Sequence, residues 1–201
     1  MALINWIERD GPGRLGVMAR PGRQDKLEDD LRQAVDEGAN VLVSLLTADD
    51  EREFELEDEK TVAHRLGLDF KRFPITDKAV PTDNAETDEF LRSRLDDLKA
   101  GKSVVFHCSS GRGRTGLMAA GLLVMEGLPP HKALSRVRGH RLTSVPDTKE
   151  QAQWVADLAA RLGRPVDSNR GSSPTLLWIA GFATAALAAV YLSRRFLQDE
   201  A

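Results

Sequence analysis

Short apolar runs and longer amphipathic segments alternate along the chain, and this pattern predicts an order of strands and helices. Compact runs rich in Val, Leu, Ile and Phe are typical of buried strands, whereas apolar residues spaced three or four apart and closed by glycine are typical of helices. The predicted strands cover residues 3–7, 15–19, 41–46, 68–75 and 104–107. The predicted helices cover residues 24–37, 57–65, 85–100, 115–126, 130–137 and 149–161. Strands alternating with helices predict an α/β fold, with helices flanking a central, mainly parallel sheet.

A different apolar pattern lies near the C-terminus. Residues 171–193 contain no charged residue, and residues 175–192 would be apolar on every side of a helix. At about 1.5 Å per residue this core would reach roughly 27 Å, close to the ~30 Å hydrocarbon core of a bilayer. Trp178 and Tyr191 lie near opposite ends, as interfacial aromatic residues do. We therefore predict a single transmembrane helix; the alternative is a buried, Ala-rich helix of the preceding domain.

The domain organisation follows from these patterns. We expect a folded domain over residues 1–162, a flexible linker over 163–174, the transmembrane helix over 175–193 and a short polar tail over 194–201. A stripe of small residues spaced four apart could let two such helices pack as a weak homodimer. The stripe consists of Gly181, Ala185 and Ala189.

Composition narrows the classes of function and compartment. The net charge of −3 argues against a nucleic-acid-binding protein, and a single cysteine excludes a framework of internal disulfides. The histidines are scattered, so no metal-ligand spacing is present and we expect no metal and no other cofactor. No secretory signal is recognisable near the N-terminus, and the basic residues around the apolar segment do not decide its orientation. A membrane location with the folded domain in the cytoplasm is the expectation.

The richest chemistry lies between the strand at 104–107 and the helix at 115–126. Backbone N–H groups at a helix N-terminus bind phosphate, and small residues let the backbone curl around the anion. The predicted phosphate-binding residues are Ser109, Ser110, Gly111, Arg112, Gly113 and Arg114. The guanidinium of Arg114 can grip two phosphate oxygens at once.

Cys108 precedes this loop and is the only cysteine of the chain. The positive field of the loop favours its thiolate, which would be an activated nucleophile facing a bound phosphorus atom. Thr115 can donate a hydroxyl hydrogen bond to that thiolate. The alternative, a structural cysteine at the end of a buried strand, leaves the glycines, Arg114 and Thr115 unexplained.

These residues carry a family resemblance. The sequence HCSSGRGRT, residues 107–115, resembles the H-C-x5-R-[ST] signature of the cysteine-dependent tyrosine and dual-specificity phosphatases. The resemblance implies that Cys108 forms a phosphocysteine, that Arg114 binds the phosphate and the transition state, and that His107 orients the loop. The segments around residues 13–16 and 20–23 resemble the kinase-associated phosphatase branch of that group. The resemblance covers most of residues 3–162 and implies the phosphatase fold.

A carboxyl group is needed to protonate the leaving oxygen and then to activate water. Asp77 follows the predicted strand 68–75 and begins a loop that contains Pro81. This pattern resembles the general-acid loop of small dual-specificity phosphatases. The alternative is that Asp77 only starts a turn. Asp83 is the second candidate, but it is better suited to cap the helix that begins near Asn84.

A third catalytic element is predicted near the start of the last helix. The segment 145–151 resembles the region where these phosphatases place a glutamine that positions the hydrolytic water, and Gln151 would be that residue. The alternative is that Asp147 or Thr148 caps the helix 149–161, with Gln151 in its first turn.

The substrate expected from the resemblance is a phosphoprotein carrying phosphotyrosine and also phosphoserine or phosphothreonine. Arg112 in the loop suggests a second substrate class, because a positive rim would suit a phosphoinositide at the membrane. Other arginines that could contribute to this rim are Arg136, Arg138 and Arg141. A phosphoprotein-binding pseudophosphatase is the non-enzymatic alternative, against which the intact Cys108, Arg114, Thr115 and Asp77 argue.

Overall fold

The structure, a computed structural model, describes residues 3–23, 26–139 and 146–164, which lie within one compact unit of residues 1–166. The strands of the described residues are β1 Asn5–Ile7, β2 Arg14–Ala19, β3 Val41–Ser44, β4 Asp69–Arg72 and β5 Ser103–Cys108. The helices of the described residues are α1 Leu27–Asp36, α2 Ala48–Glu53, α3 Glu59–Arg65, α4 Asn84–Lys99, α5 Gly113–Met125, α6 Pro130–Gly139 and α7 Lys149–Arg161. This confirms the α/β fold with a central sheet flanked by helices.

The five strands form one sheet in the order β1-β2-β5-β3-β4. The pair β1 and β2 is the antiparallel hairpin predicted for the start of the chain, and the other pairs are parallel. The central strand β5 is buried along its whole length, which explains its continuous apolar run. The carboxyl ends of parallel strands meet at one edge, so Cys108 lies beside Ala19 at the end of β2. The loops after these strands therefore build one site.

Side chains of β5 alternate between two cores on opposite faces of the sheet. Val104, Phe106 and Cys108 belong to the core that also contains residues of α4, α5 and α7. Val105 belongs to the second core, which is formed with residues of α1 and α3. The same alternation turns His107 towards the α3 face, away from the side of the sheet occupied by Cys108.

Helix α5 carries the predicted phosphate-binding loop, residues 109–114, at its N-terminus and is buried at every one of its positions. A helix that is apolar all round requires packing on all sides, and α5 contacts β5 as well as α4, α6 and α7. At Gly121 a β-carbon would lie only 3.1 Å from Leu91 and 3.3 Å from Leu158, so the glycine lets the neighbouring helices approach closely. The loop is thus mounted on a helix that is buried along its whole length.

Side-chain caps define several helix starts. Thr47 and Asp50 form a reciprocal capping box at α2, a short helix that the apolar pattern did not predict because none of its residues is buried. Asp83 caps α4 by accepting a hydrogen bond from the Glu86 N–H at 3.0 Å, as predicted. Thr148, rather than Asp147, caps α7.

The predicted linker and membrane span belong to the C-terminal part of the chain, most of which the structure does not describe. In the part of the chain that the structure describes, no helix combines the length and apolar character needed to cross a membrane. The predicted span at 175–193 and most of the linker at 163–174 lie outside the described residues, as do Gly181, Ala185 and Ala189.

Candidate active site

The predicted phosphate-binding loop follows Cys108, the last residue of β5, which is only 2% exposed. Gly111 has a left-handed backbone with φ of 68°, and a β-carbon there would overlap the Met18 carbonyl at the end of β2. The conformation and the space therefore both require glycine. The loop is anchored to the end of β2, because the Ser109 carbonyl accepts hydrogen bonds from the Arg20 N–H at 3.3 Å and from Arg23 Nη2 at 3.2 Å.

Arg114 is buried behind this loop and is 2% exposed. Its Nη1 donates to Asp50 Oδ2 at 2.7 Å and to the Ile75 carbonyl at 3.0 Å. Its Nη2 lies 3.3 Å from Asp77 Oδ1, and its Nε has no hydrogen-bond partner among the described residues. The edge formed by Nε and Nη2 can therefore grip two oxygens of a phosphate while Nη1 holds the protein.

Asp50 is a site residue that the sequence analysis missed. Burial raises the pKa of its carboxyl, but the Thr47 N–H hydrogen bond and the Arg114 guanidinium outweigh this and hold the pKa below its ordinary value. Asp50 therefore stays ionised beside Arg114. The Thr47-x-x-Asp50 spacing, which is typical of a capping box, was the only sequence signal for a helix start here.

Asp77 stands at the corner of a tight turn after β4. The Ala79 N–H donates to the Thr76 carbonyl at 3.0 Å, and Lys78 adopts a positive φ of 60°, which strains a residue with a side chain. The Asp77 side chain is 61% exposed, although it reaches Arg114. The structure thus brings the predicted acid, the predicted phosphate-binding arginine and the loop of Cys108 together.

Gln151 is fully buried and joins two parts of the site. Its Nε2 donates to the Ala79 carbonyl at 3.1 Å, and its Oε1 accepts the Asp147 N–H at 3.0 Å. The amide thus connects the turn of Asp77 to the start of α7. The Asp147 carboxylate in turn lies against Gly113, where a β-carbon would overlap it. Gly113 is therefore required by a neighbouring carboxylate as well as by the curl of the loop.

The remaining predicted residues have contacts that differ from expectation. The Thr115 hydroxyl donates to the Arg112 carbonyl at 3.2 Å, inside the loop, instead of to the thiol. His107 contacts Glu59 on α3, and the distance from Nε2 to Glu59 Oε1 is 2.9 Å. Thr115 therefore stabilises the loop turn, and His107 anchors the strand from the opposite face of the sheet.

The arginines proposed for a positive rim are separated. Arg112 is exposed in the loop, and Arg20 stacks on Phe54 with its guanidinium carbon 4.3 Å from the ring centre. Arg136 instead lies 4.0 Å from Asp10, in the loop that leads into β2 at the edge opposite Cys108. Arg141 lies outside the described residues. The arginines near the loop are thus Arg112 in the loop itself and Arg20 and Arg23 after β2, and Arg136 is not one of them.

We expect the Asp50→Asn substitution to lower kcat/KM by about 100-fold, because an arginine held by one fewer charge contact is misplaced for phosphate. Stability at neutral pH should fall by about 1.5–3 kcal/mol, the usual contribution of a hydrogen bond to a charged group. Asp49→Asn is the matched control, because Asp49 pairs with Arg52 on the surface. Urea unfolding and steady-state kinetics measure both effects.

The pH dependence follows from the lowered pKa of Asp50. Its stabilising contribution is present above the ordinary value of 3.8 and is lost as the pH falls through the lower value of the folded state. The stability gap between the parent protein and Asp50→Asn should therefore close in acid. A gap that persists unchanged there would contradict the ion pair.

Known proteins resemble this chain in sequence and in fold. Residues 16–128 match the family described as polymorphic toxin system, DSP-PTPase phosphatase. Protein 197R of Invertebrate iridescent virus 6, which its name describes as a tyrosine phosphatase, is 35% identical over 88 residues, or 41% of this chain. The matched region is 31% of the length of that viral protein, so the chain corresponds to about a third of it.

Two solved structures show how far the fold is shared. The kinase associated phosphatase, in a form with serine at its catalytic-site cysteine, is 21% identical with a TM-score of 0.74, and the match covers 81% of this chain and 97% of that one. Tk-PTP in its active form is 26% identical with a TM-score of 0.62, and the match covers 78% and 97%. Because the family match spans more than half of the residues, this chain belongs to the DSP-PTPase phosphatase family of polymorphic toxin systems.

Proposed function

We propose that the protein is a cysteine-dependent phosphatase that hydrolyses phosphotyrosine, and also phosphoserine or phosphothreonine, through a phosphocysteine intermediate. One observation carries the proposal: Cys108 ends a buried strand at the N-terminus of α5, and the buried Arg114 behind it contacts Asp77. Nucleophile, phosphate-binding cation and proton donor thus share one site. The fold similarity to the kinase associated phosphatase supports placing the protein near that branch.

The first step transfers the phosphoryl group to Cys108. The backbone N–H groups of residues 109–114 and the Nε–Nη2 edge of Arg114 hold the phosphate oxygens, and the thiolate attacks phosphorus. As the S–P bond forms, the P–O bond to the substrate breaks and protonated Asp77 gives its proton to the leaving oxygen. Phosphate competes with Asp77 for Nη2, so substrate binding releases Asp77 to face the leaving group.

The second step regenerates the enzyme. Water attacks the phosphorus atom of phosphocysteine, Asp77 accepts the water proton, and the S–P bond breaks so that Cys108 leaves as a thiolate. Gln151 contributes by holding the turn that carries Asp77, because its amide binds the Ala79 carbonyl. Thr115 contributes by closing the loop around Arg112.

The central test combines two variants of the full chain. Cys108→Ser should show no turnover of an aryl phosphate, because the hydroxyl is a far weaker nucleophile. Asp77→Asn should slow phosphopeptide hydrolysis about 100-fold to 10,000-fold, the usual contribution of general acid catalysis. The same variant should slow a nitrophenyl phosphate much less, since that leaving group needs little protonation. Equal losses on both substrates would remove Asp77 as the acid, and turnover by Cys108→Ser would refute the mechanism.

A phosphoinositide substrate is the second candidate function, and exposed Arg112 in the loop is the observation that favours it. We expect phosphotyrosine peptides to be hydrolysed with a higher kcat/KM than soluble phosphoinositide head groups. Arg112→Ala should then lower kcat/KM for both by a similar factor, because the arginine aids binding of any phosphomonoester. A selective loss on head groups, together with a preference of the parent protein for them, would reverse the assignment.

We also propose that residues 175–193 form a single membrane-spanning helix that keeps the catalytic domain at a cytoplasmic membrane surface. The uncharged, apolar character of residues 171–193 supports this. The full chain should therefore stay in the membrane pellet after alkaline carbonate extraction. Leu187→Arg should increase release, because a charge at mid-span costs about 2.5–3.5 kcal/mol. Release of the parent chain itself would rule out the span.

A further inference from the structure

An open groove runs along helix α7 beside the active site and is not used by the mechanism above. Its volume of about 450 Å³ is within the usual range of ligand-binding clefts. The residues that line it are Val80, Lys149, Glu150, Gln153, Trp154 and Asp157. Glu150, Trp154 and Asp157 are spaced four and three residues apart, so they occupy one face of α7. The groove therefore follows this face of the helix over two turns.

The groove is continuous with the part of the site that carries the acid. Val80 follows Ala79, whose carbonyl accepts a hydrogen bond from Gln151 Nε2 at 3.1 Å. On the other wall, Glu150 directly precedes Gln151. Val80 is three residues from Asp77, and three residues span at most about 11 Å. A peptide that passes over the Asp77 turn from a phosphorylated residue in the site would therefore carry its neighbouring residues into the groove.

The lining combines apolar side chains with carboxylates that lack a counter-charge. Val80 and Trp154 are the apolar members. Within the described residues, neither Glu150 nor Asp157 forms a salt bridge, and Asp157 Oδ1 accepts an amide hydrogen bond at 2.8 Å from the residue one turn earlier. Lys149 is the one cation among the lining residues, so negative charge predominates.

Trp154 adds a donor that has no acceptor. Its side chain is buried, and its Nε1 has no hydrogen-bond partner among the described residues, although a buried indole N–H usually has one. The Cζ3 edge of the indole faces α5, because a β-carbon at Gly121 would lie 3.4 Å from that atom. Nε1 is on the opposite edge of the ring, so the N–H points away from α5. A chain that covers the groove can supply the missing acceptor through a backbone carbonyl.

We propose that the groove binds the polypeptide chain of a phosphoprotein substrate beside its phosphorylated residue, and that it selects a lysine or an arginine there. The aliphatic stem of such a residue suits Val80 and Trp154, and its charged head group suits Glu150 and Asp157. The same carboxylates repel an anionic lipid surface, so the groove favours a peptide over a phosphoinositide in a bilayer. This specificity rests on the phosphatase function proposed above and adds to it the recognition of the substrate chain.

A series of phosphotyrosine peptides measures this selection with the full chain. The series places lysine, leucine or glutamate at each flanking position in turn, on an alanine background. We expect the lysine peptide to have a kcat/KM about tenfold above that of the glutamate peptide at positions on one side of the phosphotyrosine, because contacts with two exposed carboxylates are gained. The difference should shrink at high salt. Equal kcat/KM values, or a preference for leucine or glutamate, would overturn the proposal.

Charge reversal tests whether the two carboxylates are responsible. Glu150→Lys/Asp157→Lys should reverse the preference, whereas kcat/KM for nitrophenyl phosphate should stay unchanged, because that substrate does not reach the groove. Asp29→Lys/Asp36→Lys is the matched control: it makes the same charge change at exposed positions of α1, also with one residue in the first turn of a helix, and should keep the parent preference. A lysine preference that survives the groove variant rules out these carboxylates.

A milder variant covers the case in which Glu150→Lys/Asp157→Lys does not fold. Glu150→Gln/Asp157→Asn keeps the size and the hydrogen-bonding capacity of both side chains, and it should abolish the preference for lysine without reversing it. The parent preference in this folded variant would also overturn the role of the groove.

Peptide binding separates the groove from catalysis. Fluorescence anisotropy with the full-length Cys108→Ser variant measures affinity for the same peptides without turnover. Lysine-selective binding, together with a parent protein that hydrolyses none of the peptides, supports the groove and removes the proposed function. Hydrolysis of the peptides without selection leaves the phosphatase and removes the groove.

Discussion

A guanidinium that is 2% exposed needs several acceptors, and Arg114 takes them from separate parts of the chain. Asp50 comes from α2, the Ile75 carbonyl from the segment after β4, and Asp77 from the turn beyond it. These segments lie at the carboxyl edge of the sheet because β3, β4 and β5 are parallel. The arginine that would bind substrate therefore also holds the walls of its own pocket.

Arg114 would bind phosphate and also holds neighbouring segments of the protein, and these two roles explain the polar residues that surround the site. Nη1 is fully committed to protein acceptors, so phosphate is left with the edge of Nε and Nη2. Asp77 shares that edge at 3.3 Å, and an incoming anion competes with it. Gln151 keeps the Asp77 turn close during such an exchange, because its buried amide binds Ala79 and Asp147 together. Displacing the carboxylate thus need not open the site.

The sequence predicted most of the fold because its strands are short apolar runs and its core helices are bounded by caps or glycines. It also predicted the residues whose chemistry is local, such as Cys108 before a glycine-rich loop. It missed Asp50 and Arg23, because their roles depend on contacts with residues distant in the chain. It suggested Arg136 for the positive rim, whereas helix α6 brings that residue close to Asp10. Helix α2 was not predicted, because a surface helix made mostly of acidic residues has no apolar stripe.

The alternation of side chains along β5 gives the catalytic strand two distinct faces. Cys108 opens towards the loop on the side of α5, and His107 is committed to Glu59 on the side of α3. An apolar residue at 107 would leave the buried Glu59 side chain without this contact, and an apolar residue at 59 would do the same to His107. A substitution at either position would therefore remove the contact of the other residue. The histidine of the signature therefore makes its side-chain contact behind the sheet, whereas the cysteine beside it faces the loop in front.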